Sequence, residues 1–301
     1  EIIRSLINSN ILIFDSGVWH LALDISTITM PDTIQLLITS RLDRLEADVK
    51  SILQQASVIG VVFDVEILER LTNLDSLMLS FHLATLEEHE FIMREVSAVG
   101  LQYRFRHPLL HEVIYNGLSK KSRRELHRKV GEIIEEVFHD NLEDYVETLA
   151  HQFSNSDNAE MAVEWLMRAG RKAKEKYAND QAIRMFEEAI LIVSSELKGR
   201  RHELCQIYEA LGDIYNLKGE YEKAIKNFET MFLGTDDKTA KSRAKRKIAD
   251  VYINQSRLDD SMKILKDAES LIEGVSDEVK IEKAEIVMLR GSALRLKGEM
   301  D

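Results

Sequence analysis

Two prolines and one cysteine are all that these 301 residues contain of the two types that most constrain a chain's path. With no Pro- or Gly-rich stretch, long helices joined by short loops are expected. Cys205 cannot form an internal disulfide, which fits a reducing, cytoplasmic setting. No run of eighteen apolar residues exists to span a bilayer, and no secretory leader is recognisable. A phosphate-cradling loop needs glycine amides followed by Gly-Lys and a hydroxyl residue. The chain has no Gly-Lys and no Gly-x-Gly, so no nucleotide-hydrolysing core, and no enzyme activity, is expected of it. His107 and His111 stand at i, i+4 with His127 nearby, but no further ligand has motif spacing, so no metal site is expected. The chain opens at Glu1 in helical-looking sequence and stops at Gly298-Glu299-Met300-Asp301, so a piece of a longer protein is expected.

What is present is apolar and acidic. Hydrophobic residues make up 45% of the chain, enough for a packed core, and the net charge is −12. The cations concentrate in residues 104–129. There Arg104, Arg106, Lys120, Lys121, Arg123, Arg124, Arg128 and Lys129 face only Glu112 and Glu125. An acidic protein with one basic island is a poor general nucleic-acid binder. It suits a single phosphate-bearing ligand or an acidic partner, and Arg104, Arg106, Arg123 and Arg124 are the candidate contacts. The Arg123-Arg124 pair is more often a solvated helix face or a contact to an acidic surface than a nucleotide or interdomain contact.

The second half returns to one register. Gly212, Tyr215, Gly219, Ala224 and Phe228 set a pattern of small and aromatic residues. The same offsets from Gly170 fall on Ala173, Tyr177, Ala182 and Phe186. From Ala249 they fall on Tyr252, Ser256, Ser261 and Leu265, and from Gly291 on Leu294 and Gly298. The repeat starts are 42, 37 and 42 residues apart, a period of stacked helical hairpins. Gly212, Tyr215 and Gly219 make one helical stripe, and Ala224, Phe228 and Met231 a second, separated by a turn. Small residues let two helices approach, and the aromatic fills the gap. The arrangement resembles the tetratricopeptide repeat, with Gly170, Gly212 and Gly291 expected at close helix contacts. A degenerate upstream match, Leu149, Ala150, Phe153, Ala162 and Leu166, predicts one helix over 158–177 that serves two hairpins.

The first half reads differently. Ile11–Phe14 and Trp19–Ala22 flank Asp15-Ser16-Gly17 and predict a short hairpin. Helices are expected from Pro31 to about Arg44, over 46–58, from Phe63 to Leu71 and from Asp75 to His89. Strands follow at Phe91–Val96 and Gln102–Phe105, then helices at His107–Gly117 and Ser119–Phe138. Three helices followed by a hairpin is the winged-helix arrangement. The expected fold is therefore mainly α, a winged-helix domain followed by a right-handed superhelix of tetratricopeptide-like hairpins. Residues 1–29 would end a preceding helical, ATPase-lid region, 30–138 form the winged domain with extra helices, and 142–301 the truncated repeats. A DNA role is disfavoured, because helix 75–89 has no Lys or Arg for phosphates.

Three stretches carry a further resemblance. They are Met30-Pro31-Asp32-Thr33-Ile34 with Ser40-Arg41-Leu42-Asp43-Arg44-Leu45, then Ala56-Ser57-Val58-Ile59-Gly60 with Phe63, and finally Tyr103–Tyr115 with Arg123-Arg124-Glu125-Leu126-His127. They resemble the region after the ATPase core in bacterial signal-transducing ATPases with numerous domains, among the AP-ATPase and NACHT-like switches. The resemblance implies a missing upstream core that binds ATP or ADP with magnesium, and a winged helix that closes over it. It implies repeats that sense a protein or peptide partner, with output by a cyclase, a kinase or a DNA-binding module lying elsewhere. Related switches carry Met-His-Asp-Leu at a winged-domain helix start, where the histidine meets the ADP phosphate. Arg106-His107-Pro108-Leu109 stands at that place, keeping the histidine but not the methionine or aspartate. A helix-capping histidine packed on the hairpin is the alternative. For the whole chain the alternatives are a plain peptide-binding scaffold and part of a transcription activator.

Overall fold

The computed structural model describes residues 12–15, 18–21, 32–96, 100–197 and 199–298. The helical-looking sequence that opens at Glu1 and the turn at Ser16-Gly17 lie outside the described residues. The rest divides into two compact units, one reaching Leu142 and including Asn155–Asp157, the other made of Glu143–Ser154 and the chain from Asn158.

In the first unit β1 (Leu12–Asp15) pairs antiparallel with β2 (Val18–Leu21). Then come α1 (Asp32–Leu42), α2 (Ala47–Ile59), β3 (Val62–Asp64), α3 (Val65–Thr72) and α4 (Ser76–Glu88). The hairpin β4 (Ile92–Val96) and β5 (Leu101–Phe105) leads to α5 (Pro108–Gly117) and α6 (Lys120–Val137). The third expected helix does not begin at Phe63. Val62–Asp64 instead pairs antiparallel with β5, giving a sheet of order β3-β5-β4. The reason is local: Val61-Val62-Phe63 favours extended backbone, and Asp64 caps α3 by accepting from the Glu66 amide at 2.8 Å. Phe63, Tyr103, Phe105 and Ile92 turn inward onto Leu53, Leu68, Leu83 and Leu86, so helices and sheet share one core. Asp75 caps α4 and Ser119 caps α6 in the same way.

The second unit has helices and no strand among its described residues. A 3-10 stretch, His139–Tyr145, leads the chain into it, followed by α7 (Val146–Ser154) and α8 (Ala159–Glu175). Then follow α9 (Asn179–Glu196), α10 (Arg201–Leu217), α11 (Tyr221–Gly234), α12 (Lys238–Asn254), α13 (Leu258–Leu271) and α14 (Asp277–Lys297). Helix α8 packs on both α7 and α9, burying Phe153, Ala162 and Leu166 on the one side and Gly170 on the other.

The turns between paired helices are built alike. Tyr177, Gly219 and Ser256 take positive φ, at 58°, 74° and 60°. At each, the amide of the following residue reaches back five positions: Ala178 to Ala173, Glu220 to Tyr215 and Arg257 to Tyr252, at 2.8–2.9 Å. This is the left-handed cap that ends a helix and reverses the chain. Gly219 therefore serves the turn and not a helix contact, since nothing lies within 4 Å of where its Cβ would stand.

The helix contacts follow from size. A Cβ on Gly170 would lie 2.8 Å from the Phe186 ring, and one on Gly212 only 2.4 Å from Phe228. Both rings are buried, and Ala182 and Ala224 are fully buried beside them in sequence register. In the next repeat the small partner grows to Ala249 and the large one shrinks to Leu265, both fully buried. Tyr215 is buried, and Tyr252 is half-buried with the Arg257 guanidinium 4.3 Å from its ring centre. Gly291 differs from expectation: a Cβ there meets nothing within 4 Å, because no described helix follows α14 to face it.

Gly212→Ala therefore brings two opposed effects. Alanine gains about 1 kcal/mol of helix propensity, while overpacking costs about 1–3 kcal/mol. The fully buried Phe228 cannot swing aside, so a net loss is expected in the urea midpoint; an unchanged or higher midpoint would contradict the contact. Ser261 offers the opposite case. Its Oγ is fully buried with no hydrogen-bond partner, where the other repeats have Ala182 and Ala224. Ser261→Ala is expected to stabilise by about 1 kcal/mol, readable as a raised melting temperature.

Candidate functional site

Two places carry the residues singled out by sequence. In the first unit His107 is the N-cap of α5 with Pro108 in the first turn, but its side chain makes no capping hydrogen bond and is exposed. Its ring is thus not the packed cap of the alternative reading. The neighbouring arginines are partly engaged. Arg104 lies 3.6 Å from Glu95 and Arg106 3.4 Å from Glu90, in exposed pairs of a kind worth about 0–1 kcal/mol. Arg123 donates to Asn116 at 3.2 Å with its guanidinium 5.0 Å from the Tyr115 ring centre. Arg124 Nε donates to the Ser156 carbonyl at 3.0 Å. Arg123 and Arg124 therefore serve the fold's own surface as well as any outside anion.

The other histidines hold the helices together. His111 Nε2 meets the Ser57 carbonyl at 2.8 Å, its ring stacks on Tyr115, and Tyr115 Oη meets His127 Nε2 at 2.7 Å. Burial lowers the His111 pKa, against the hydrogen bond to Ser57. Helix α4 is apolar outward: Leu77 and Phe81 are 83% and 67% exposed, and no cation lies on the helix to meet a phosphate backbone.

In the second unit α8, α10, α12 and α14 lie side by side, and their facing surfaces are charged. A basic run here escaped the reading of one island: Lys238, Lys241, Arg243, Lys245, Arg246 and Lys247 have no acid among them. Counting charges in a ten-residue window would have found it. The structure surrounds this run with acids from neighbouring helices. Lys247 meets Asp213 at 2.7 Å, which also takes Lys174 at 2.9 Å, while Lys245 meets Asp267 and Lys238 meets Glu273. Arg246 grips Glu282 with two hydrogen bonds of 2.7 and 3.1 Å, and Glu282 is 2% exposed. Burial opposes the Arg246 charge, but Glu282 more than restores it and raises the pKa. Next to this ladder, burial raises the pKa of Asp250, which accepts from Asn216 at 3.0 Å.

Two cavities open along α8 and α10. One of 430 Å³ is lined by Met161, Val163, Met167, Leu197 and the arginines Arg168 and Arg200. The other, of 540 Å³, is lined by Lys174, Glu175, Tyr177, Glu209, Asp213 and Leu217; Arg171 and Gln206, joined at 3.0 Å, border both. No signal in the sequence singled out these linings, since the residues come from separate helices and share no spacing.

Removing one partner of a buried ion pair leaves a charge uncompensated. Glu282→Gln is expected to cost about 3 kcal/mol in urea unfolding, and Asp277→Asn in the exposed Lys280 pair under about 1 kcal/mol. Equal effects would contradict the buried role of Glu282.

No family model and no curated protein matches the chain. Among solved structures the chain aligns with a signal transduction ATPase with numerous domains carrying a tetratricopeptide repeat sensor, from Pyrococcus horikoshii. The alignment covers 88% of this chain and 56% of that one at 10% identity and a TM-score of 0.27. The chain thus spans about half the length of that protein, and so loose a superposition decides nothing about fold or function.

Proposed function

We propose that the chain is a regulatory and interaction region of a nucleotide-switched signalling ATPase. In this reading α8–α14 are a tetratricopeptide-like platform for a protein or peptide, and α2–β5 are a winged helix. The observation that carries the platform is the recurrence, at one register, of a left-handed turn and a small-against-large helix contact. Such hairpins stack into extended binding surfaces and rarely hold catalytic groups. The winged-helix reading is supported by the order helix, strand, two helices, two strands, closed by the β3-β5-β4 sheet. No described helix is long and apolar enough to cross a membrane.

Nucleotide coupling is the finer part of the reading. It draws on the sequence resemblance and on the exposed side chain of His107, which makes no capping hydrogen bond and follows Arg104 and Arg106 in the sequence. ATP or ADP with magnesium would be held by the upstream core, not by these residues. His107 would donate to the nucleotide phosphate only when the winged domain is closed, and so favour the ADP-bound state. A plain peptide-binding scaffold predicts no such coupling.

A single hydrogen bond to a charged group is worth roughly 1.5–3 kcal/mol. In the full-length protein, His107→Ala is therefore expected to speed ADP release by roughly ten- to a hundredfold while leaving ATP binding nearly unchanged. Equal ADP release from a folded variant would remove the histidine from the switch. The 301-residue chain alone is expected to show no ATP turnover; turnover abolished by a point substitution within it would overturn the reading.

A further inference from the structure

In the hairpins a small residue on the first helix meets a large one on the second. On α10 Gly212 lies against Phe228, and Cys205, two turns earlier, meets the Met231 carbonyl of α11. On α12 Ala249 packs with Leu265, and Ser242 donates to the Ala268 carbonyl of α13. At the same spacing α14 has Gly291 and Ala284, and there the face is open. Ile281 and Met288 beside them are 63% and 60% exposed. An apolar helix face of this kind is ordinarily buried.

The order of residues along the stripe says what covers it. Asp277, Ile281, Ala284, Met288, Gly291 and Arg295 alternate steps of four and three residues, which puts them on one face of the helix. They stand in pairs nine, five and two residues to either side of Ile286: Asp277 with Arg295, Ile281 with Gly291, and Ala284 with Met288. In each pair the two members are complementary, acid with base or large with small. A helix laid antiparallel on its own image exchanges exactly paired positions, as a two-fold axis requires. Ile281 of each copy then meets Gly291 of the other, Met288 meets Ala284, and Asp277 meets Arg295. A parallel pairing would instead set like beside like. The end charges are available: among the described residues Arg295 makes no ion pair, and Asp277 makes an exposed one with Lys280.

We propose that the open face of α14 is a self-association surface, on which a second copy of this chain docks antiparallel about the level of Ile286. The contact repeats, between molecules, the small-against-large packing of the hairpins, and it does not depend on a nucleotide role. One helix from each copy is a small interface against the roughly 1,200–2,000 Å² of stable complexes, so a weak dimer is expected.

The test is sedimentation equilibrium of the 301-residue chain from micromolar to millimolar concentration. The wild type is expected to pass from monomer to dimer. Gly291→Leu fills the socket for Ile281 yet meets nothing within its own chain. It is expected to weaken the dimer about tenfold without lowering the melting temperature of the monomer. Asp277→Lys or Arg295→Glu alone sets like charges together and is expected to weaken the dimer about threefold; the two combined in one chain restore it. A wild type that stays monomeric at every concentration would overturn the proposal and leave the face to a different helix. A dimer indifferent to Gly291→Leu would overturn it too, as would a double charge variant no tighter than the singles.

Discussion

How closely two helices can approach decides the second unit. With glycine at 170 and 212, a phenylalanine ring from the partner helix sits where a Cβ would otherwise stand. Close approach then brings the fully buried Ala182 and Ala224 inside and fixes where the connecting turn must reverse. The third hairpin keeps the same summed bulk with Ala249 and Leu265, so volume is held while identity changes. That exchange is what a close-packed interior tolerates.

Neighbouring hairpins are tied differently. Along α10, α12 and α14 the facing surfaces are linked by charge, with α12 as the cationic member and its neighbours as the acidic ones. Most of these pairs are partly exposed and individually weak, but Glu282 is buried and must be matched. The consequence for function is that most charge on this face is already committed within the chain. What is left over is local: Arg171 and Glu175, one turn apart on α8, form no ion pair among the described residues.

The repeat register was legible because its determinants are local: small and large residues at fixed offsets, and turns with the same left-handed cap. The helices of the first half were legible for similar reasons. Val62–Asp64 was missed because a three-residue strand has no periodicity of its own and exists by pairing with β5. Gly291 was expected at a contact, since spacing alone does not say whether a facing helix follows. The run Lys238–Lys247 was visible in composition, but its partners come from α10, α13 and α14, and no sequence pattern places them there. The cavity at Tyr177 was hidden for the same reason. Its tyrosine appeared in the register only as an occupant of a glycine position.

The central claim is that one helix contact recurs through the repeats with its two partners interchangeable in size. The direct measurement is a double-mutant cycle at the third hairpin, Ala249→Gly with Leu265→Phe, followed by urea unfolding. Leu265→Phe alone overpacks the contact and Ala249→Gly alone loosens it, so each is expected to cost about 1–3 kcal/mol. Together they recreate the Gly212–Phe228 pair, and the double variant is expected to recover most of the summed loss, a coupling of about 1 kcal/mol or more. Strictly additive losses would contradict the account, because the two positions would then not be the same contact in a repeated frame.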